Sequence, residues 1–341
     1  MLNFYDFTIT KLKEYLVANG FKAFSADQLY KWVYEQQEYN FDNMTNISND
    51  LKEFLKANIE IADLSIDTVK ESSDGTVKYL FKLSDGSLIE TVLMTHEYGQ
   101  SVCVTSQVGC NMGCSFCASG LLRKQRNLEI HELVSQITSV QNHQGIKVTH
   151  IVVMGTGEPF DNYDNVMDFI RVVNYKKGLQ IGSRHITVST CGIVPRIYDY
   201  AKEEIRANLA ISLHAANDEL RSKLMRINKT YPILDIIKAC NVYFKTTGRR
   251  ITFEYILLKG VNDSTKHADE LSNLIRGMNA YVNLIPYNPI NEFNYKKSDQ
   301  QSAAKFHAQL IKRGINVTLR REQGTDIDAA CGQLRYQKES D

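Results

Sequence analysis

Three cysteines stand within eight residues, in the pattern Cys110-x3-Cys114-x2-Cys117. Thiolate sulfur is a soft ligand that suits iron–sulfur clusters and zinc. Three thiolates on one short loop can hold three irons of a cubane cluster and leave the fourth iron open as a docking site. The same residues also allow a zinc knot with Cys103 as fourth ligand, or a Cys114-x-x-Cys117 redox pair. The chain has seven cysteines, an odd number, and their crowding favours metal or redox chemistry over a disulfide framework.

A second cluster is Gly155-Thr156-Gly157-Glu158-Pro159. Its glycines permit close backbone approach to a ligand, and Glu158 can accept from an ammonium group. Near the end of the chain, Cys331 lies between Ala330 and Gly332 in Asp326-Ile327-Asp328-Ala329-Ala330-Cys331-Gly332-Gln333-Leu334. Its small neighbours leave the sulfur sterically open, although a small buried cysteine is the commonest fate of a free thiol. Cys103 precedes Cys110 by seven residues. Two thiols that can meet near one centre suggest a nucleophile and a resolving partner. Cys191 and Cys240 have no such company and read as structural.

The elements that must position these residues fall into three textures. Residues 1 to about 60 read as helices. Ser25-Ala26-Asp27-Gln28 has the form of a capping box, and Ser48 can cap a helix carrying Leu51, Phe54 and Leu55. Between 61 and 100, Val77–Leu83 and Leu88–Met94 flank Ser84-Asp85-Gly86, which predicts a hairpin. From 101 onward, short apolar strands are expected at 102–108, 148–154, 185–190, 207–213, 250–258 and 281–287, with helices between them. A last helix near 299–313 and a strand near 315–321 precede a polar tail over 322–341. Regular alternation predicts parallel strands with right-handed crossovers, an α/β chain. Six β/α units favour an open partial barrel over residues 101–321, and a doubly wound sheet is the alternative. In either, ligands bind at the carboxyl ends of the strands. Ser189, the run Ser212-Leu213-His214 and Asn288 all fall at such ends.

Composition narrows the classes further. With 341 residues, about two domains of ~150 are expected. Apolar residues at 43% and charged residues at 23% exclude a disordered chain, and no run reaches the length of a membrane span. The start lacks a basic segment followed by an apolar one, so a cytoplasmic protein is expected. A net charge of +1 announces no nucleic-acid partner, so any such surface must be local. Candidate patches are Lys22 with Lys31, the run Arg123, Lys124 and Arg126, Arg249 with Arg250, and Arg320 with Arg321.

The cysteine spacing, with Phe116 beside Cys117, resembles the radical S-adenosylmethionine (SAM) superfamily. Adding the Gly157-Glu158-Pro159 turn, Ser212–Ala215, Asn283–Pro289 and the Cys331 tail, nearly the whole chain resembles the adenine-C2 methyltransferases of ribosomal and transfer RNA, the RlmN family. The sister family Cfr, which methylates C8, shares the tail and both cysteines but reads Gly-Glu-Ala at that turn, so a C8 enzyme is the alternative. The resemblance implies a partial (β/α)6 barrel with an N-terminal helical RNA-binding domain (1–60), a β-hairpin extension (61–100) and a C-terminal tail. It implies that Cys110, Cys114 and Cys117 bind a [4Fe–4S] cluster, and that Gly157, Glu158, Ser189, Ser212, Leu213, His214 and Asn288 bind SAM. Cys331 would carry the methyl group, Cys103 would resolve the intermediate, and Glu90 would accept a proton, although Glu90 also reads as a solvated strand carboxylate. The implied partners are 23S rRNA, tRNA and an electron donor such as flavodoxin or ferredoxin, for a monomer with no membrane contact.

That chemistry answers a specific difficulty. Adenine C2 lies between two ring nitrogens and has no lone pair to attack a sulfonium methyl. The family route passes the methyl first to the Cys331 thiolate, a competent nucleophile. A second SAM, cleaved by one electron to methionine and a 5′-deoxyadenosyl radical, removes hydrogen from that S-methyl. The methylene radical adds to C2, loss of the C2 proton and one electron restores aromaticity, and Cys103 releases the product by forming a disulfide with Cys331. The C2 proton goes to Cys103 or to Glu90. Rival readings are a zinc-stabilised RNA-binding module and a radical SAM enzyme acting on a small molecule.

Overall fold

The computed structural model describes residues 1–334. Residues 335–341 of the expected tail lie outside the described residues. Three helices form the N-terminal part: α1 (Ile9–Ala18), α2 (Ser25–Tyr30) and α3 (Asn49–Asn58). Thr8 caps α1 and Ser48 caps α3, each accepting from a backbone amide three residues on. The capping box expected at Ser25 does not form. Ser25 lies inside α2, and the two amides a capping box would serve are already taken: Ser25 N bonds Lys22 O at 3.1 Å and Gln28 N bonds Phe24 O at 3.4 Å. Gln28 donates instead to Asn46 O at 3.2 Å.

The rest of the chain builds one sheet of ten strands. They are β1 (Ser65–Glu71), β2 (Val77–Lys82), β3 (Leu88–His96), β4 (Gly99–Cys103), β5 (Val148–Val153), β6 (Ile186–Thr190), β7 (Asn208–Ser212), β8 (Ile251–Leu257), β9 (Ala280–Pro286) and β10 (Val317–Leu319). Strands β1 to β4 pair antiparallel, and β4 to β10 pair parallel. Sheet order follows chain order throughout. A doubly wound sheet requires a reversal of that order, so that alternative is excluded and the open partial barrel stands. The helices α4 (Ile130–Gln144), α5 (Tyr163–Asn174), α6 (Val194–Tyr200), α7 (Asp218–Leu224), α8 (Ile233–Thr247), α9 (Thr265–Leu274) and α10 (Gln300–Lys312) fill the crossovers. Near-continuous apolar strands such as Ile251–Leu257 are what burial on both faces demands.

The first parallel strand is shorter than expected and ends at Cys103 rather than near 108. Ser106 N and Gln107 N both bond Thr156 O, at 2.9 and 3.2 Å, which draws the chain across to the β5–α5 loop. Gln107–Val108 then pairs with Arg126–Asn127 and brackets the cysteine loop.

One buried side chain holds this exit in place. Gln136 of α4 accepts from Thr105 N at 2.8 Å and from Thr91 Oγ1 at 2.7 Å, and donates to Thr105 O at 2.9 Å. Gln136→Leu leaves three buried polar partners unsatisfied, so a loss of about 3 kcal/mol is expected. Urea unfolding of the two proteins measures it, and a loss under 1 kcal/mol would show that the exit is held elsewhere.

Candidate functional site

The carboxyl ends of β4 to β9 surround a cleft of about 890 Å³. Cys110, Cys114, Cys117, Gly157, Glu158, Ser189, Ser212, His214 and Cys331 all line it. The sequence motifs therefore meet in one place.

Backbone geometry explains the cysteine loop. Gly109 has φ +76°, and a Cβ there would stand 2.3 Å from Arg123 O, so the loop can close only with glycine. Cys110 N then bonds Leu122 O at 2.9 Å, and Ser115 N bonds Leu224 O at the end of α7, also at 2.9 Å. The Phe116 ring meets the His214 ring edge to face, with centroids 4.9 Å apart. Burial pushes the Cys110 thiol up to about 11 and raises those of Cys114 and Cys117. Among the described residues no group of three His, Cys, Asp or Glu side chains is set to hold one metal ion. Cys103 packs with Val92, Met94, Ala329 and Leu334 instead of joining the trio, so the zinc knot is not formed.

The glycines of the second motif serve the chain itself. A Cβ on Gly155 would lie 2.6 Å from Thr105 Oγ1, and one on Gly157 would lie 2.7 Å from Gln107 Cβ. They permit the close approach of two loops, and both also line the cleft. Glu158 is 3% exposed, and burial raises its carboxyl. Its Oε1 accepts from Phe160 N at 3.0 Å and its Oε2 from Cys191 N at 2.7 Å, so it fastens β6 to the β5–α5 loop while lining the cleft. Cys191 also lines the cleft, which its isolation in sequence concealed; Cys240 is buried, as expected.

Ser189 Oγ and Ser212 Oγ lie 3.3 Å apart on adjacent strands. His214 has φ +58°, and its Nδ1 accepts from Ile256 N at 3.0 Å, so its other ring nitrogen carries the proton. Burial lowers its pKa to about 3 and keeps the ring neutral. Leu213, between Ser212 and His214, is fully buried and does not line the cleft; its carbonyl accepts from Arg221 Nε at 3.1 Å.

Cys331 stands at a junction. It lines the main cleft and also a second cavity of about 350 Å³ under the tail. Asn288 lines this second cavity and donates to Cys331 O at 3.3 Å. Cys103 packs against Ala329 and Leu334 on either side of Cys331. Burial, then the nearby Cys331 thiol, push Cys103 up to about 12, so it stays protonated at rest. Glu90 is buried and pairs with Lys78 at 3.1 Å, and Lys78 also donates to Asp328 O of the tail at 3.2 Å. Burial raises the Glu90 carboxyl, so it is not the solvated strand residue that was the alternative.

Three charged residues at the site were not anticipated. Arg221 is 0% exposed and gathers the carbonyls of Cys191, Ser212 and Leu213. Glu254 is 4% exposed, lines the cleft, and is raised to about 7 by burial. A lone carboxylate inside the apolar run Ile251–Leu257 was a readable signal. Arg320, expected in a surface patch, turns inward to Cys331 Sγ at 3.4 Å. Two other patch residues are tied internally: Lys124 pairs with Asp161 at 2.8 Å, and Arg126 with Glu132 and Asp85 at 2.7 Å.

The donor set fits a thiolate-held iron–sulfur cluster, with hydroxyl, carboxylate and imidazole groups facing the remaining volume. Comparison with known proteins agrees. The family model for the radical SAM superfamily matches residues 104–271, and that for the ribosomal RNA large subunit methyltransferase N-terminal domain matches residues 2–61. A relative from Listeria welshimeri named "Probable dual-specificity RNA methyltransferase RlmN" is 57% identical, covering 97% of this chain and 92% of its own. One of the same name from Staphylococcus carnosus is 54% identical with the same coverage. The crystal structure of a radical SAM methyltransferase from Sphaerobacter thermophilus superposes with a TM-score of 0.92 at 43% identity, covering 98% of this chain and 99% of that one. A [4Fe–4S] cluster and SAM are the cofactors this membership carries. The chain belongs to the RlmN family of radical SAM methyltransferases.

Proposed function

We propose that this chain methylates C2 of an adenosine in 23S rRNA, in the peptidyl-transferase region, and of the adenosine next to the anticodon in tRNA. The observation that carries the reading is Cys331, a partly buried thiol on the wall between the cysteine-trio cleft and a second cavity. Relatives that carry the RlmN name favour C2 over the C8 alternative. Residues 1–60 act as the RNA-binding accessory part, 61–100 as the hairpin extension, 101–321 as the catalytic barrel and 322–341 as the tail that presents Cys331. The chain works as a cytoplasmic monomer with flavodoxin or ferredoxin as electron donor. Among the described residues no helix is long and apolar enough to cross a membrane.

Cys110, Cys114 and Cys117 hold the cluster. Gly157, Glu158, Ser189, Ser212, Leu213, His214 and Asn288 hold SAM. When bound, these cofactors together supply a carbon radical that abstracts hydrogen. Cys331 carries the methyl group on its sulfur to the acceptor base. The neutral His214 ring and the half-buried Ser189 and Ser212 orient the nucleoside without adding charge. Glu90, raised by burial and steadied by Lys78, accepts the proton lost from C2. Cys103 attacks the Cys331 sulfur and frees the product, leaving a disulfide to be reduced.

Cys331→Ala is expected to abolish methylated adenosine, below 1 part in about 1,000 of wild type, with iron content and SAM binding kept. Residual activity near wild type would end the carrier role. Cys103→Ala is expected to accumulate a covalent protein–RNA adduct, seen as a shifted band on a denaturing gel that ribonuclease removes. Normal turnover would assign resolution to another thiol. Mass spectrometry of nucleosides after reaction with labelled SAM is expected to give 2-methyladenosine, and 8-methyladenosine would move the chain to the alternative.

A further inference from the structure

Arg320 follows β10, and its backbone N bonds Leu284 O of β9 at 2.9 Å, so its position is fixed by the sheet. Its side chain lines both the main cleft and the 350 Å³ cavity under the tail. Among the described residues its guanidinium hydrogen bonds go only to sulfur: Nη1 to Cys331 Sγ at 3.4 Å and Nη2 to Met94 Sδ at 4.0 Å. A guanidinium carries five donors in a rigid planar fork, and sulfur is a weak acceptor. Most of this fork therefore points into cavity space without a strong partner, which is costly unless something binds there. Glu254 is a neighbouring carboxylate whose charge it feels, and Glu322, which lines the smaller cavity, is already paired with Lys297.

We propose that Arg320 donates a hydrogen bond to a ring nitrogen flanking the acceptor carbon of the substrate adenine, seated in the cavity under the tail. The inference rests on the proposed RNA-methylating function. The cavity is open to solvent, so a flipped-out base can enter it edge first; Met94 and Ile285 offer apolar contact to its faces. Arg320 reaches the Cys331 sulfur, so a carbon carried on that sulfur is delivered beside the guanidinium. C2 of adenine is bonded to two nitrogens whose lone pairs lie in the ring plane, which a planar fork can meet edge on. When carbon bonds to C2, electron density moves onto those nitrogens. A donor already aimed there stabilises that charge in a site shielded from water. Arginine stays protonated, so it serves as donor and leaves the proton of C2 to another group.

The test uses holoenzyme whose Cys331 is already methylated, and RNA hairpins with adenosine, 1-deazaadenosine or 3-deazaadenosine at the target. Single-turnover rates of base modification are compared for wild type, Arg320→Gln and Arg320→Lys. Wild type is expected to slow about 100-fold on one of the two deaza bases. Arg320→Gln is expected to slow about 100-fold on adenosine and to lose nothing further on that same base, the non-additivity of a shared contact. Because the assay starts from methylated Cys331, any effect of Arg320 on loading that sulfur is kept out of the rate. Multiplying losses, or a wild type indifferent to both deaza bases, would each overturn the assignment. If Arg320→Gln does not load iron, Arg320→Lys and the wild-type deaza series carry the same decision. A wild type that leaves unmodified RNA untouched would sink the proposed function itself.

Discussion

A guanidinium with no accessible surface sets the floor of the site. Arg221 bonds Cys191 O at 2.7 Å, Ser212 O at 3.2 Å and Leu213 O at 3.1 Å, which ties the ends of β6 and β7 together. Carbonyls at the carboxyl ends of parallel strands lose their ladder partners, and buried ones must find others. Here one residue supplies three bonds. Its fourth goes to Asn228 Oδ1 at 2.9 Å, and Asn228 passes a hydrogen bond on to Asp218 at 3.0 Å. The charge is thus compensated through a relay rather than by direct contact. Because Arg221 sits on α7, whose last carbonyl receives Ser115 N, the same short helix fixes the strand ends and the cysteine loop relative to each other. One helix of seven residues thus links the cysteine loop to the ends of β6 and β7.

The tail is held as firmly, and at both ends. Asp326 accepts from Ser72 Oγ at 2.5 Å and Ser73 N at 3.1 Å, and Gly324 N bonds Asp74 at 2.9 Å, all in the β1–β2 turn. At the other end Ala118 N bonds Gly332 O at 2.7 Å, and Ser119 Oγ bonds Leu334 O at 2.9 Å, both from the cysteine loop. Cys331 therefore hangs on a strap between the β1–β2 turn and the cysteine loop. This gives the antiparallel extension a role beyond widening the sheet. Its turn anchors the residue on which the proposed chemistry depends, across more than 250 positions in sequence. Chain-closure entropy for such a contact is met by the sheet, which has already brought the two regions together.

Much of this was legible before any coordinates, and what was hidden has a common cause. Strand periods, the turn at Ser84–Gly86, the helix caps at Ser48 and the clustering of motifs at strand ends are local properties, and the structure places them within a few residues of where periodicity put them. The cysteine trio was legible because its residue type and spacing lie within one short segment of sequence. What escaped depends on partners distant in sequence. Gly155 and Gly157 answer to Thr105 and Gln107, Arg221 to three carbonyls on two strands, and Arg320 to a thiol on the tail. Ser25 matched a capping pattern, yet a preceding turn had already used the amides it would have served. Glu254 differs from these, because a carboxylate inside an apolar strand is a local signal.

These hidden residues also explain why so much charge can sit in one barrel. Arg221, Arg320, Glu158 and Glu254 line or underlie a single cleft, and none forms a direct carboxylate–guanidinium pair among the described residues. Each buried charge opposes folding unless its bonds are met, and here they are met mostly by neutral backbone groups and amides. Glu254 takes a bond from Asn283 at 2.8 Å, and Glu158 takes two from backbone amides. Neutral dipoles hold a charge in place without cancelling its field. A mutual salt bridge would stabilise the fold better and leave the cleft electrostatically flat. The arrangement seen keeps Arg320 and two carboxylates on the cleft wall, and ligand binding to the folded state then returns part of the lost stability by mass action. The stability given up in the cleft is supplied by the long apolar sheet around it, which is why a ten-stranded core surrounds so small a polar centre.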